Sequence, residues 1–219
     1  MAASDQAHKI SPAGAALKAR IESRQAAVAV IGAGYVGLPL AIELARAGFP
    51  VVCIDSNAER VAMIGAGRSY IRDAPEVELN RLVGEGKIRA TASFAGLGGA
   101  DVIIACVPTP LTETKDPDIS CIQDVSRQIA LHLRPGQLIS LESTTYPGTV
   151  QEVVLPLLSA NGLHVGVDFF LCHSPERVDP GNASQTTGNT NKVVGGVTGA
   201  CTDVASAFYG QIVPRVIPV

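Results

Sequence analysis

Short apolar runs alternate along the chain with longer segments in which apolar residues recur every three or four positions. The short runs are rich in Val and Ile and predict buried β-strands, whereas the periodic segments predict helices. The first strand is predicted over 26–31 and is followed by a helix that ends near Gly48. A second strand follows at Val51–Ile54. Strands and helices that alternate at this close spacing predict an α/β fold with a mainly parallel sheet.

The same pattern continues toward the end of the sequence. Further strands are predicted over 88–91, 101–107, 138–141, 168–172 and 193–194, and further helices over 57–64, 76–82, 122–133, 150–158 and 202–208. Residues 1–25 are polar apart from a helical patch around Leu17 and Ile21, so they are interpreted as an N-terminal extension of a domain over 26–219. Several predicted strands end in polar corners that contain Gly or Pro. In a doubly wound sheet such corners converge on one ligand crevice at the carboxyl ends of the strands.

Composition and charge narrow the classes of function. Hydrophobic residues make up 47% of the 219 residues, aromatics only 4%, and Trp is absent, which predicts a core of Val, Ile, Leu and Ala. A net charge of −3 argues against a nucleic-acid or anionic-membrane surface. Five cysteines without a CxxC pair argue against a disulfide framework or a metal site. We found no signal-peptide or membrane-spanning run, so a cytoplasmic location is expected.

The strongest candidate motif lies between the first strand and the first helix. It reads Gly32-Ala33-Gly34-Tyr35-Val36-Gly37. Gly32 permits a tight turn, Gly34 lets the backbone approach a pyrophosphate, and Gly37 allows close packing of helix on strand. Free amides at the helix N-terminus then face the phosphates. A tight turn without a ligand is the alternative, but the strand–turn–helix context favours dinucleotide binding on a Rossmann-like, doubly wound sheet with helices on both faces.

Asp55 ends the second strand and adds coenzyme specificity. A carboxylate at this place can accept both ribose hydroxyls of the adenosine half and would repel a 2′-phosphate, which favours NAD over NADP. Arg60 complicates this interpretation because a guanidinium could hold such a phosphate, although it lies in the next predicted helix. The alternative role for Asp55 is a simple helix cap. Arg60 could likewise be a solvated helix charge.

Five motifs in order resemble one family. They are the segment from Ile31 to Pro39, the strand ending at Asp55 with Arg60 after it, Val107-Pro-Thr-Pro-Leu111, Glu142-Ser-Thr-Thr-Tyr-Pro-Gly-Thr149 and Ser174-Pro-Glu-Arg177. Together they resemble the UDP-glucose/GDP-mannose dehydrogenase family from about Ala26 to the end of the sequence. The Ser69-Tyr-Ile-x-Asp73 stretch and the Pro-Thr-Pro-Leu turn are most similar to its UDP-N-acetylhexosamine 6-dehydrogenase branch.

The resemblance implies an activity and a set of site residues. Such enzymes oxidise the C6 hydroxymethyl of a nucleotide sugar to a carboxylate with two NAD, through an aldehyde that a cysteine captures as a thioester. It implies that the segment from Gly32 to Gly37, with Asp55 and Arg60, holds the adenosine and pyrophosphate. The nicotinamide half would be lined by Val107, Pro108, Thr109, Pro110 and Thr144. Thr145 would position the catalytic water, Glu176 would act in acid–base chemistry, and Glu176 and Arg177 would contact the UDP-sugar.

Each of the catalytic candidates has a simpler alternative. The hydroxyls of Thr144 and Thr145 could satisfy loop amides at a strand end. Glu176 could pair only with Arg177 or a helix terminus. His173 could be a general base, but a hydrogen-bonded, partly buried histidine fits its position better.

The family's Gly-rich cysteine motif does not occur in this sequence, and none of the five cysteines lies in an activating context. Cys53, Cys106 and Cys172 are predicted inside strands, and Cys121 and Cys201 in helices. We therefore expect the N-terminal cofactor-binding portion of a longer, homo-oligomeric protein, without the central helix and the sugar-nucleotide domain. This portion should bind NAD without completing the oxidation. Two other interpretations stay open: a different NAD-dependent dehydrogenase, and a non-catalytic nucleotide-sensing module.

Overall fold

A computed structural model describes residues 10–111, 115, 117–176 and 188–219. Its strands are β1 (Val28–Ile31), β2 (Val51–Ile54), β3 (Ile88–Thr91), β4 (Val102–Ala105), β5 (Leu138–Leu141), β6 (Phe170–His173), β7 (Lys192–Gly196) and β8 (Val216–Pro218). Its α-helices are α1 (Pro12–Glu22), α2 (Gly37–Arg46), α3 (Ala58–Gly65), α4 (Glu76–Gly84), α5 (Ser120–His132), α6 (Leu155–Ser159) and α7 (Gly199–Tyr209). A 3-10 helix (Phe94–Gly99) precedes β4, and a π-helical turn (Val150–Val154) leads into α6.

The strands form one sheet in the order β3-β2-β1-β4-β5-β6-β7-β8. Neighbouring strands from β3 to β6 are parallel, β7 is antiparallel to β6, and β8 is parallel to β7. The strand order reverses between β1 and β4, which is the switch point where a doubly wound sheet opens a crevice for a ligand. The predicted fold class, a Rossmann-like and mainly parallel sheet, is confirmed.

Alternate residues of the central strands β1, β2, β4, β5 and β6 contribute to two separate hydrophobic clusters, one on each face of the sheet. In β1, Val28 and Val30 join the cluster that includes apolar residues of α1, α2, α4 and α7. Ala29 and Ile31 join the cluster that includes apolar residues of α5, α6 and the 3-10 helix. Because side chains along a strand point alternately to opposite faces, a strand covered by helices on both sides is apolar throughout. This explains the unbroken Val and Ile runs in the sequence.

The helical patch before residue 26 packs into the same core. Leu17 and Ile21 of α1 are fully buried, and α1 lies against α7. The Ser11 side chain caps α1 by accepting a hydrogen bond from the Gly14 amide. Arg20 forms an ion pair of 2.7 Å with Asp101 at the start of β4. Apolar burial and this ion pair therefore attach α1 to the sheet.

Two elements were not predicted from the sequence, and several strand boundaries differ from the prediction. Strand β8 lies in an apolar stretch for which no element was predicted, because Pro214 and Pro218 argue against a strand there. The Gly-rich 3-10 helix also has no helical periodicity. Strand β6 begins at Phe170 rather than at Asp168 and extends to His173. Cys106, predicted inside a strand, follows the end of β4.

Within the described ranges, no helix combines the length and apolarity needed to cross a bilayer.

Candidate functional site

The loop after β1 has the geometry that a dinucleotide phosphate site requires. Gly32 has φ +88°, and a Cβ there would lie 2.3 Å from the Cys106 carbonyl oxygen. A Cβ on Gly37 would lie 1.9 Å from the Gly32 carbonyl oxygen, so both positions exclude a side chain. Gly34 differs, because nothing lies within 4 Å of its Cβ position. The first and third glycines are thus required for packing, whereas the second leaves open space at the N-terminus of α2, where an anion fits.

Asp55 fixes this loop from the end of β2. Its Oδ2 accepts a hydrogen bond of 2.8 Å from the Ala33 amide, and its Oδ1 accepts one of 2.8 Å from the Asn57 amide. Arg60 approaches the same carboxylate at 3.6 Å from α3. A carboxylate oxygen has two lone pairs, so Asp55 retains acceptor capacity beyond these bonds. The simple-cap alternative does not describe it, since Asn57 caps α3.

Side-chain hydroxyls join the corners after β4 and β5, on the other side of the switch point. Ser143 Oγ donates to the Val107 carbonyl at 2.7 Å and accepts from the Val107 amide at 3.1 Å. Thr109 Oγ1 donates to the Thr144 carbonyl at 2.6 Å. The predicted residues from Val107 to Pro110 and Thr144 therefore form one cross-linked wall. Pro108, Pro110 and Thr144 are exposed on this wall and can contact a ligand.

A cavity of about 430 Å³ lies beside this wall. It is lined by residues 145–151, His173, 195–197 and Val219. The Thr145 and Thr149 hydroxyls are 2.7 Å apart, and Thr149 Oγ1 also donates to the Tyr146 carbonyl at 2.9 Å. These two hydrogen bonds orient the Thr145 hydroxyl at the cavity. A residue that positions a water molecule needs such a fixed orientation.

A buried ion pair lies behind the wall. Lys192 Nζ, at the start of β7, is 2.6 Å from Glu142 Oε2 and 3.9 Å from Glu176 Oε2. The Tyr209 hydroxyl completes the cluster by donating to Glu142 Oε1 at 2.6 Å. Burial lowers the pKa of Lys192, but the Glu142 and Glu176 carboxylates outweigh burial and raise it above its ordinary value. Because Lys192 thus stays charged, it provides a fixed positive charge beside Glu176.

The remaining candidate groups are poorly suited to nucleophilic or base chemistry. His173 Nε2 lies 3.3 Å from the Ser143 carbonyl, and burial lowers the pKa of this imidazole. Burial also raises the pKa of both Cys53 and Cys172 to about 12. A thiol that resists ionisation is a weak nucleophile, so these two cysteines act as small apolar core residues. Cys106 has a raised pKa as well, chiefly through burial.

Comparison with known sequences decides the family. The sequence model described as "UDP-glucose/GDP-mannose dehydrogenase family, NAD binding domain" matches residues 26–213. The chain belongs to the UDP-glucose/GDP-mannose dehydrogenase family. The match covers the NAD-binding domain of that family, and its cofactor is NAD.

Relatives in the family share about a third of the residues. A UDP-N-acetyl-D-mannosamine dehydrogenase of Pyrococcus horikoshii is 36% identical over 188 residues, which are 85% of this chain and 44% of the relative. A UDP-N-acetyl-D-glucosamine 6-dehydrogenase of Pseudomonas aeruginosa is 35% identical over 187 residues, 85% of this chain and 43% of the relative. The chain thus spans less than half the length of these family members.

Solved structures of the family superpose closely on this domain. The UDP-N-acetyl-mannosamine dehydrogenase of Staphylococcus aureus matches with a TM-score of 0.82 and 30% identity, over 88% of this chain and 46% of that structure. The GDP-mannose dehydrogenase of Pseudomonas aeruginosa matches with a TM-score of 0.80 and 28% identity, over 87% and 45%. The fold is therefore that of the NAD-binding half of the family.

The structure brings most of the predicted site residues to the carboxyl ends of the parallel strands. The Gly32–Gly37 loop, Asp55 and Arg60 lie on one side of the switch point, and the corners with Thr109, Thr144, Thr145 and Glu176 lie on the other. Arg177 lies outside the described residues. Sequence reasoning missed three residues that hold other groups of this site in place by hydrogen bonds or charge, namely Tyr70, Ser143 and Lys192. Tyr70 and Ser143 lie in recognised motifs, but nothing in the sequence indicated the burial of Lys192.

Proposed function

We propose that this chain is the NAD-binding part of a nucleotide-sugar 6-dehydrogenase, which oxidises the C6 hydroxyl of a UDP-sugar to the acid with two NAD. The observation that carries the proposal is the open space at Gly34 beside the Asp55-anchored loop. The names of the relatives support a UDP-N-acetylhexosamine as the sugar substrate. A cytoplasmic location and a homo-oligomeric full-length protein belong to the same proposal.

The site residues divide the work between the two sides of the switch point. Gly32, Ala33, Gly34, Tyr35, Val36 and Gly37 would present amides to the diphosphate, with Asp55 and Arg60 at the adenosine ribose. Val107, Pro108, Thr109, Pro110 and Thr144 would line the nicotinamide half. NAD, when bound, accepts a hydride from the sugar carbon. The wall fits this role because its own hydrogen bonds hold it together and Pro108, Pro110 and Thr144 are exposed on it.

Thr145 and Glu176 would handle water and protons at the reacting carbon. The Thr145 hydroxyl is oriented by Thr149, so it can hold a water molecule in one direction. Lys192 Nζ lies 3.9 Å from Glu176 Oε2, so a positive charge stands beside the carboxylate proposed to take a proton from water. Glu176 and Arg177 would also contact the UDP-sugar.

Calorimetric titration of the 219-residue chain with NAD tests the coenzyme part of the proposal. The wild type should bind NAD saturably and more tightly than NADP. Asp55→Ala should weaken NAD binding roughly tenfold, since it removes charged hydrogen bonds to ribose and loop. Asp124→Ala is the matched control, because that carboxylate is exposed on α5 and pairs only with Arg127 among the contacts described. Absence of NAD binding by the wild type would contradict the proposal.

Turnover separates the domain from the whole enzyme. This chain, mixed with NAD and a UDP-N-acetylhexosamine, should form no uronic acid, because none of its five cysteines lies in an activating context and burial raises the pKa of Cys53 and Cys172 to about 12. Formation of the acid by the purified chain would refute this. In a protein that extends over the length of the relatives, Glu176→Gln should lower kcat about 100-fold or more, whereas the exposed Glu85→Gln should not.

A further inference from the structure

Tyr70, a residue outside the predicted site, contacts the Gly32–Gly37 loop, which is called the coenzyme loop below. Tyr70 lies between α3 and α4, and its hydroxyl donates a hydrogen bond of 2.6 Å to the Ala33 carbonyl. The amide of the same residue, Ala33, donates to Asp55 Oδ2 at 2.8 Å. Ala33 is fully buried, and its hydrogen bond to Asp55 is buried whereas the one from Tyr70 is partly buried. The backbone of Ala33 is thus held at its N–H and at its C=O by two different side chains.

The hydroxyl bond has a consequence for the neighbouring amide. In a planar trans peptide, the carbonyl of Ala33 and the N–H of Gly34 point in opposite directions. Fixing the carbonyl toward Tyr70 therefore fixes the Gly34 N–H away from Tyr70. Gly34 is the glycine of this loop that borders open space. The Tyr70 hydroxyl therefore sets the direction of the Gly34 amide, in the loop proposed to hold the diphosphate.

The ring of Tyr70 holds a second group of the site. The guanidinium carbon of Arg60 lies 5.6 Å from the ring centroid, and Arg60 Nη1 lies 3.6 Å from Asp55 Oδ2. Arg60 is about half exposed, so without these contacts its long side chain would sample many directions. Ring and carboxylate together keep the guanidinium beside Asp55, where its charge is already compensated.

The hydroxyl keeps its proton under all ordinary conditions. Burial, followed by the nearby Asp55 carboxylate, raises the pKa of Tyr70 to about 12, although Arg60 acts in the opposite direction. The donor to Ala33 is therefore present throughout the neutral range.

We propose that Tyr70 is a positioning residue of the coenzyme site: its hydroxyl orients the Gly34 amide toward the diphosphate, and its ring holds Arg60 against Asp55, away from a 2′-phosphate. The inference rests on the proposed NAD binding and adds the device that sets the affinity and the preference for NAD over NADP.

Removing only the hydroxyl tests the first part. Tyr70→Phe keeps the ring and its contact with Arg60, so it should raise the Kd for NAD and for NADP alike, by roughly fivefold. The ratio of the two values should stay as in the wild type. The midpoint of thermal unfolding without ligand reports whether the domain itself has changed. A wild-type Kd for NAD in Tyr70→Phe would overturn this part.

Removing the ring tests the second part. Tyr70→Leu should release Arg60 from the ring. The ratio of the Kd for NADP to the Kd for NAD should then fall by about threefold, the loss expected for one exposed cation–π contact. In an Arg60→Met background the same substitution should leave the preference unchanged, because Tyr70 then has no guanidinium to hold. A role limited to packing would give the same change in both backgrounds, or none, and either result would overturn the inference.

The two proposals fail in different ways. If the wild type does not bind NAD, the proposed function is wrong, and the positioning role of Tyr70 is overturned with it. If the wild type binds NAD and Tyr70→Phe binds equally well, only the inference is overturned. Tyr70→Phe also keeps the test decisive should Tyr70→Leu fail to fold.

Discussion

Single residues of the coenzyme loop are under two different constraints, and substitution separates them. Gly37→Ala should destabilise the domain by about 1–3 kcal/mol or more, since its Cβ would lie 1.9 Å from the Gly32 carbonyl. Gly34→Val should leave stability nearly unchanged, because nothing lies within 4 Å of its Cβ position, yet should abolish measurable NAD binding. Urea unfolding and NAD titration of both variants check this. Normal NAD binding by Gly34→Val would contradict the proposed phosphate site.

At the residue scale, the sequence identifies groups whose chemistry follows from local spacing. The three glycines and Asp55 could be assigned because a strand–turn–helix unit fixes their relative positions. Tyr70 could not be assigned, because its bond to Ala33 spans 37 residues and depends on how the segment after α3 folds back. Ser143 could not be distinguished from its Thr neighbours, because the direction of its hydroxyl depends on the adjacent strand.

At the element scale, an ion pair between Lys192 and Glu142 links the antiparallel strand β7 to the corner after β5. Lys192→Met should destabilise the domain by about 3–5 kcal/mol, since it leaves Glu142 buried without its cation. The double variant Lys192→Met/Glu142→Gln should recover a large part of that loss, because the amide can still accept from Tyr209. Urea unfolding of the two variants measures the difference. A double variant less stable than Lys192→Met would contradict this view of the cluster.

A second charged link joins α1 to β4 and should make stability depend on acid. Burial alone would raise the pKa of Asp101, but hydrogen bonds from Arg20, the Ala27 amide and Arg134 outweigh burial and lower it. The stabilising contribution is therefore complete above about pH 3.9, the ordinary pKa of Asp, and is lost as the pH falls through the lower folded value.

Asp101→Asn should remove that acid dependence and cost about 2 kcal/mol at neutral pH. Urea unfolding at several values between about pH 5 and pH 1 measures both effects. Asp124→Asn, an exposed carboxylate of α5, is the control and should change neither. Equal acid dependence in Asp101→Asn and the wild type would show that this link does not contribute.

Among the elements, the sequence predicts the parallel strands β1 to β6 well and the last two strands, β7 and β8, poorly. Apolar runs such as Val51–Ile54 and Leu138–Leu141 are strands because helices cover both of their faces. No local sequence pattern indicates that β7 runs antiparallel to β6. Because β7 runs in this direction, its first residue, Lys192, lies at the carboxyl ends of the parallel strands. A lysine before a short apolar run looks like a solvated strand end, so its burial could not be predicted.

At the scale of the whole molecule, coenzyme binding and folding should be coupled. The residues proposed to hold NAD come from the loops after β1, β2, β4 and β5, so only the assembled sheet presents them together. NAD at a hundred times its Kd should therefore stabilise the chain by about 2.7 kcal/mol. Thermal unfolding with and without NAD measures this. Asp55→Ala should show a smaller shift at the same NAD concentration, and an equal shift would contradict the assignment of Asp55.

The packing of α1 against α7 has a consequence for how the protein is made. Leu17 and Ile21 leave the ribosome early, yet α7, the helix they pack against, lies at residues 199–209. Until that helix has been synthesised, the apolar stripe of α1 lacks one of its native partners, which favours chaperone binding or aggregation of the nascent chain. We therefore expect α1 to be sensitive to protease in translation intermediates arrested before residue 199.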